Sequence, residues 1–134
     1  MVQVNIIYQG NLRTEAEHAP SGTKINTDAP KDNQGLGESF SPTDLVATAL
    51  GSCMLTIMGI AARTLQIDIT GTKVTVNKEM SPPPRRIAKL AVIIEVPVKL
   101  NDEQKQKMEN AALTCPVHKS LHPDVAMPIE FRWA

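Results

Sequence analysis

Two side chains in this sequence carry a nucleophilic sulfur, Cys53 and Cys115, and they stand 62 positions apart with no Cys-x-x-Cys pair. As thiolates they attack disulfides and similar soft electrophiles, and the local pKa decides whether they do so. Cys53 falls in a long uncharged stretch with Ala49, Leu50, Thr56 and Ile57 as its helical neighbours. Burial among such residues raises a thiol pKa, and a site about three turns from the helix start gains little from the helix dipole. Taken alone, Cys53 reads as a small buried hydrophobe; as a nucleophile it needs a cation delivered by another element. Cys115 precedes Pro116 at the mouth of a short helix, where free N–H groups favour thiolate. That placement suits a resolving thiol or leaving group in disulfide chemistry, and its plain alternative is an N-cap. Zinc is a further reading, because Cys115, His118 and His122 fall at i, i+3 and i+7, with Cys53 as a fourth ligand. Structural zinc sites more often use short paired knuckles, and the bland reading of the histidines is a solvated face beside Lys119.

The elements that must position these sulfurs follow from periodicity. Val2, Val4, Ile6 and Tyr8 alternate with polar residues, Gln9-Gly10-Asn11 makes a turn, and Ser21-Gly22 punctuates a third run, so residues 1–30 predict a β-meander. Residues 28–39, rich in Gly and polar turn formers, predict a loop of the length that is often functional. Ser41-Pro42-Thr43-Asp44 is a helix start: Ser at N-cap, Pro at N1 and an acid at N3. The following 18 residues, Leu45 to Ala62, hold no charge, which by length alone admits a membrane span. Thr48, Gly51, Ser52, Thr56 and Gly59 argue instead for a helix surrounded by protein. Strands are expected at TKVTVNKEM and IAKLAVIIEVPVKL, the latter with Leu90, Val92, Ile94, Val96 and Val98 on one face. Asn101 and Gln104 cap a polar helix, Pro116 opens a short one that stops at Pro123, and Ile129, Phe131 and Trp133 share a face of the last strand. Runs of strands separated by runs of helices predict an α+β fold with antiparallel sheet.

Composition sets the outer limits. A chain of 134 residues is one domain, 1–134, large enough to fold without cross-links. Fourteen basic residues balance fourteen acidic ones, and the four aromatics lie outside the middle of the chain, so no nucleic-acid partner is expected. The opening MVQVNIIYQG lacks the pattern of a secretory signal, and the expectation is a cytoplasmic protein without a structural disulfide. The sequence GLGESF lacks the Gly-Lys-Ser/Thr ending of a phosphate loop, and no G-x-S-x-G elbow occurs.

The stretch INTDAPKDNQGLGESFSPTDLVATALGSCM, followed by Thr-Cys-Pro-Val-His-Lys-Ser-Leu, resembles the OsmC/Ohr superfamily of osmotically inducible and organic hydroperoxide resistance proteins. The resemblance covers essentially the whole chain, most securely Ile25 to Leu121. It implies an OsmC-like fold, with antiparallel sheets wrapped around a long buried central helix in an intertwined homodimer whose second subunit covers that helix. It also implies a thiol peroxidase: Cys53 is the peroxidatic residue, Cys115 the resolving one, the substrate an organic hydroperoxide, and the reductant an external dithiol such as a lipoylated protein. No metal, organic cofactor, nucleic acid or membrane enters this reading. The sequence departs from the family's peroxidases at one place: Ser41-Pro42-Thr43 stands where they usually carry Asn-Pro-Glu, whose Glu orients an activating Arg. Glu38 and Asp44 flank that position, and Arg13 lies near one branch's Arg, so Arg13 with Glu38 is the expected activating pair. Their alternative is a hairpin charge and a loop charge on the surface. Two rivals remain: the same fold as a small-ligand-binding or redox-sensing protein, and an acyl-thioester hydrolase with Asp44 as its acid, which explains neither cysteine.

Overall fold

The alternation at the start of the chain becomes a meander. In the computed structural model, which describes residues 1–134, β1 (Val4–Gly10), β2 (Arg13–His18) and β3 (Lys24–Asp28) form an antiparallel sheet in that order. The β1–β2 turn takes Gly10, Asn11 and Leu12 through positive φ, at 84°, 55° and 61°. Leu12 tolerates this left-handed conformation because its carbonyl accepts the Ala29 N–H at 3.1 Å, which fixes the residue just before Arg13. The loop after β3 contains one 3-10 turn, Lys31–Asn33. It folds back on itself through Gly35 N–H to Pro30 O and Gly37 N–H to Ala29 O, at 3.0 and 3.1 Å.

Helix α1 spans Pro42–Thr64, and its start is the one the sequence dictates. Asp44 N–H donates to Ser41 Oγ at 3.1 Å, and Ser41 N–H donates to Asp44 Oδ2 at 2.9 Å, a reciprocal cap that satisfies two orphan donors. The chain divides into two compact units, Met1–Val46 and Ala47–Ala134. The first holds the meander, the loop and the capped first turn of α1.

The second unit holds the rest of α1 with β4 (Lys73–Met80), β5 (Ile87–Val96), α2 (Asp102–Leu113), α3 (Pro116–Ser120) and β6 (Ile129–Trp133). The sheet order is β4-β5-β6. Register places Val74 opposite Ile94 and Val76 opposite Val92, with Ile129, Phe131 and Trp133 beside Val92, Ile94 and Val96, so one face collects the apolar side chains. Leu90, Val92, Ile94 and Val96 are buried there with Leu50, Met54, Met58 and Met108 of α1 and α2. Gly51 lets α1 lie close to β4: a Cβ there would stand 3.1 Å from Val74 Cγ1 and 3.2 Å from Val76 Cγ2. Asn101 and Gln104 cap α2 reciprocally at 2.8 and 3.0 Å, as their spacing predicts.

Three expectations change. The sheets are not wholly antiparallel, because β6 runs parallel to β5; the two helices between them form a crossover long enough to return the chain in the same direction. Helix α1 is not buried on all sides of this chain. Its buried residues, Ala47, Leu50, Gly51, Met54, Met58 and Ala62, form a single stripe at helical spacing, while Thr48, Ala49, Ser52, Thr56 and Ile60 are exposed. By length and composition alone α1 could cross a membrane, and a third of its apolar window is buried. The long strand ends at Val96, before Pro97, so Val98 lies beyond it; proline has no N–H for the ladder.

Candidate active site

Cys53 and Cys115 meet. Both are free thiols, Cys53 half-buried on α1 and Cys115 fully buried, and the Cys53 side chain hydrogen-bonds that of Cys115. Residues 62 positions apart in sequence are thus adjacent within the second unit. Cys115 is the N-cap of α3: its Sγ accepts the His118 N–H at 3.3 Å, and Pro116 occupies N1.

The electrostatic expectation for Cys115 is overturned. Its thiol is held above the ordinary value, first by burial, then by the hydrogen bond to Cys53; the His118 and Val117 N–H groups pull the other way and lose. A helix mouth favours thiolate only where water or a cation also solvates the charge, and a fully buried sulfur on a five-residue helix has neither. Cys115 therefore keeps its proton near neutral pH. The zinc spacing dissolves as well: α3 ends at Ser120, so His122 leaves the helical stripe, and its Nδ1 accepts the Asp124 N–H at 3.0 Å. No three His, Cys, Asp or Glu side chains converge anywhere in the structure.

Arg13 and Glu38, the expected activating pair, also meet, within the first unit. Arg13 Nη2 donates to Glu38 Oε2 in a short ion pair. A third residue, which the sequence did not single out, completes the group. Asp28 is 1% exposed, stands directly across from Arg13 in the β2–β3 register, and places Oδ2 3.5 Å from Arg13 Nη2. The same Oδ2 accepts the Glu38 N–H at 2.9 Å. Glu38 and then Asp28 raise the Arg13 pKa further, so the guanidinium is a permanent cation. Both contacts use Nη2. Asp44, the other carboxylate near the departed Glu position, is occupied in capping α1. Thr43 stands at that position itself and lies within 3.3 Å of Ser41 Oγ.

The second unit thus holds a dithiol that can close to a disulfide, and the first unit holds a separately built arginine–dicarboxylate cluster. Comparison with known proteins places the chain in a family. The family of OsmC-like proteins matches residues 35–130, and this chain belongs to it. A crystal structure from Psychrobacter arcticus, of a protein provisionally named for osmotic stress induction and detoxification response, is 50% identical. That match covers 98% of this chain and 96% of that one, with a TM-score of 0.93. An OsmC-like protein from Mycoplasma pneumoniae has the same fold at 15% identity, covering 100% and 97% of the two chains, TM-score 0.84. So does an organic hydroperoxide resistance protein from Legionella pneumophila, at 15% identity, 98% and 96% coverage and a TM-score of 0.78. No curated protein sequence matches the chain.

Proposed function

We propose that this OsmC-like protein is a cytoplasmic, thiol-dependent peroxidase that reduces organic hydroperoxides. The observation that carries the reading is the adjacency of Cys53 and Cys115, one partly exposed and the other buried with its proton held. The Cys53 thiolate attacks the O–O bond of ROOH; the alkoxide leaves, takes a proton and departs as ROH, and Cys53 becomes a sulfenic acid. The Cys115 sulfur then attacks that sulfenic sulfur, the Cys115 proton and the hydroxyl leave as water, and a Cys53–Cys115 disulfide remains. An external dithiol, free or lipoyl-bound, reduces it by exchange. Arg13 with Glu38 is the pair that the family resemblance offers for steadying the Cys53 thiolate.

Apolar neighbours along α1, Ala49, Leu50 and Ile57, favour an alkyl or aryl hydroperoxide over hydrogen peroxide, since each buried methylene of the substrate gains about 0.8 kcal/mol. The protein acts as a homodimer. Val4, Ile6, Ile7 and Tyr8 of β1 and Ile60 of α1 are 52–68% exposed in the single chain. Apolar side chains exposed to this extent are what a second copy would cover.

Turnover of cumene hydroperoxide with dihydrolipoamide tests the reading. Wild type consumes peroxide and Cys53→Ser does not, whereas Cys115→Ser accumulates sulfenic acid and over-oxidises. Full turnover by Cys53→Ser removes the peroxidase assignment, and equal disulfide formation by Cys115→Ser removes Cys115 from it.

A further inference from the structure

Within the second unit one atom has two tasks: Cys115 Sγ caps α3 and is also half of the dithiol. In the reduced protein it accepts the His118 N–H at 3.3 Å and a hydrogen bond from the Val117 N–H. Pro116 has no N–H, so these two are the first donors of the helix. A disulfide holds its sulfurs about 2.05 Å apart, far inside the contact distance of two unbonded sulfurs, so closing Cys53 onto Cys115 requires one of them to travel. Cys53 is held. Leu50 and Met54 on either side of it are wholly buried, and Gly51 lies against β4 so closely that a Cβ would meet Val74 and Val76 at 3.1 and 3.2 Å. Helix α3 is not held in this way: it has five residues and none is buried, with Pro116, Lys119 and Ser120 exposed. The chain is anchored again on both sides of it. Met108, Ala111 and Ala112 bury the end of α2, and Ala126 is tied to β5, its N–H donating to Ala88 O at 3.0 Å and its O accepting the Leu90 N–H at 2.8 Å. The compliant piece is the segment between these anchors.

We propose that α3 is a redox switch: closing the Cys53–Cys115 disulfide draws Cys115 Sγ away from its N–H partners, uncaps the helix and loosens residues 116–122. The inference rests on the reading above, in which these two cysteines are oxidised together. The hydroperoxide is the oxidant: ROOH takes two electrons and two protons from the dithiol and leaves as ROH and water. Exchange with an external dithiol returns both hydrogens, frees the sulfur and restores the cap. The oxidation state of a buried pair is thereby displayed at an exposed segment.

The experiment is amide hydrogen exchange, read by NMR on the full-length protein in three states: reduced, oxidised by stoichiometric cumene hydroperoxide, and oxidised by diamide, an azo compound that takes up the two thiol hydrogens as a hydrazine. Loss of two hydrogens by mass confirms the disulfide. In both oxidised states the His118, Lys119 and Ser120 amides are expected to exchange about 3- to 30-fold faster, the factor that an N-cap is worth, while Leu90 and Ala112 keep their rates. Cys115→Ser keeps a cap and cannot close the bond, so cumene hydroperoxide should leave its α3 exchange unchanged. Cys53→Ser, which retains Cys115 as the cap, is held to the same outcome. Equal or slower α3 exchange in a confirmed disulfide overturns the proposal, as does a rise of the same size at Leu90 and Ala112, which is a loosening of the whole unit. Failure of both oxidants to close the bond overturns it too. Failure of the underlying reading looks different: cumene hydroperoxide then leaves the dithiol intact, while diamide closes it and α3 still loosens.

Discussion

The Cys115 Sγ accepts the His118 N–H at 3.3 Å, so the sulfur proposed to close the disulfide is also the cap that starts α3. A buried, hydrogen-bonded thiol keeps its proton, and the consequence is kinetic. The resolving step needs the Cys115 thiolate, whose fraction below its pKa grows tenfold per pH unit. Stopped-flow measurement of disulfide closure after peroxide oxidation should give a rate rising by about tenfold per unit from pH 6 to pH 8, with no plateau near neutrality. The folded-state pKa is raised, so the buried proton stabilises the fold fully below the ordinary thiol value of 9.0 and progressively less as pH rises through the raised one. Cys115→Ser lacks that alkaline loss, and because serine is the better N-cap it should melt no lower than wild type near pH 7.

Gly35 is the point at which the 29–38 loop is closed. A Cβ there would stand 1.8 Å from Ala29 O and 2.2 Å from Ala29 C, both backbone atoms that no side-chain rotation can move aside. Gly35→Ala must therefore open the loop, break Gly35 N–H to Pro30 O, and release the Glu38 N–H from Asp28. The expected result is a stability loss of about 1–3 kcal/mol in denaturant melts and faster hydrogen exchange at the Glu38 amide. Unchanged exchange at Glu38 would show that the loop closes without Gly35.

How much of this was legible beforehand varies with the physical origin of each feature. The caps at Ser41 and Asn101 are local, made by residues three positions apart, and the sequence states them outright. The face shared by Ile129, Phe131 and Trp133 is legible for the same reason, whereas the direction of β6 is not: alternation by two is identical in a parallel and an antiparallel strand. Asp28 was hidden by being read as the edge of a loop. Its signal was present, since a hairpin centred on Pro20-Ser21 sets Arg13 opposite Asp28, and a register count would have found it. The Cys115 proton was illegible because burial is a tertiary property, and the helix mouth visible in the sequence points the other way.

Gly51 and Gly59 lie on α1 in different surroundings, and together they separate packing from propensity. At Gly51 a methyl group meets Val74 and Val76 at 3.1 and 3.2 Å, so the helix-propensity gain of alanine, about 1 kcal/mol, is offset by crowding, and Gly51→Ala should leave the melting temperature nearly unchanged. Gly51→Leu has no room in the same place and should cost about 1–3 kcal/mol or more. Nothing lies within 4 Å of a Cβ at Gly59 in the single chain. A stabilised Gly51→Leu would mean that α1 does not press on β4 as described.

The exposed strand β1 makes the last prediction. Val4, Ile6, Ile7 and Tyr8 show side chains on both faces of a three-stranded sheet, where alternation would leave one face covered. A strand edge and face of this kind, left in water, promotes association, and the ordered outcome is a closed pair of identical chains. Sedimentation equilibrium of the wild type should give twice 14.6 kDa. Ile6 pairs with Ala16 in the β1–β2 ladder, and an aspartate there leaves the backbone hydrogen bonds intact while placing a charge in whatever the side chain packs against. Ile6→Asp should therefore shift the protein toward monomer at micromolar concentration, since an unpaired carboxylate at a closed interface is strongly unfavourable, and peroxide turnover should fall with it. A monomeric wild type, or an Ile6→Asp variant that stays dimeric and fully active, would leave β1 an exposed apolar strand with no partner and remove the second copy from the mechanism.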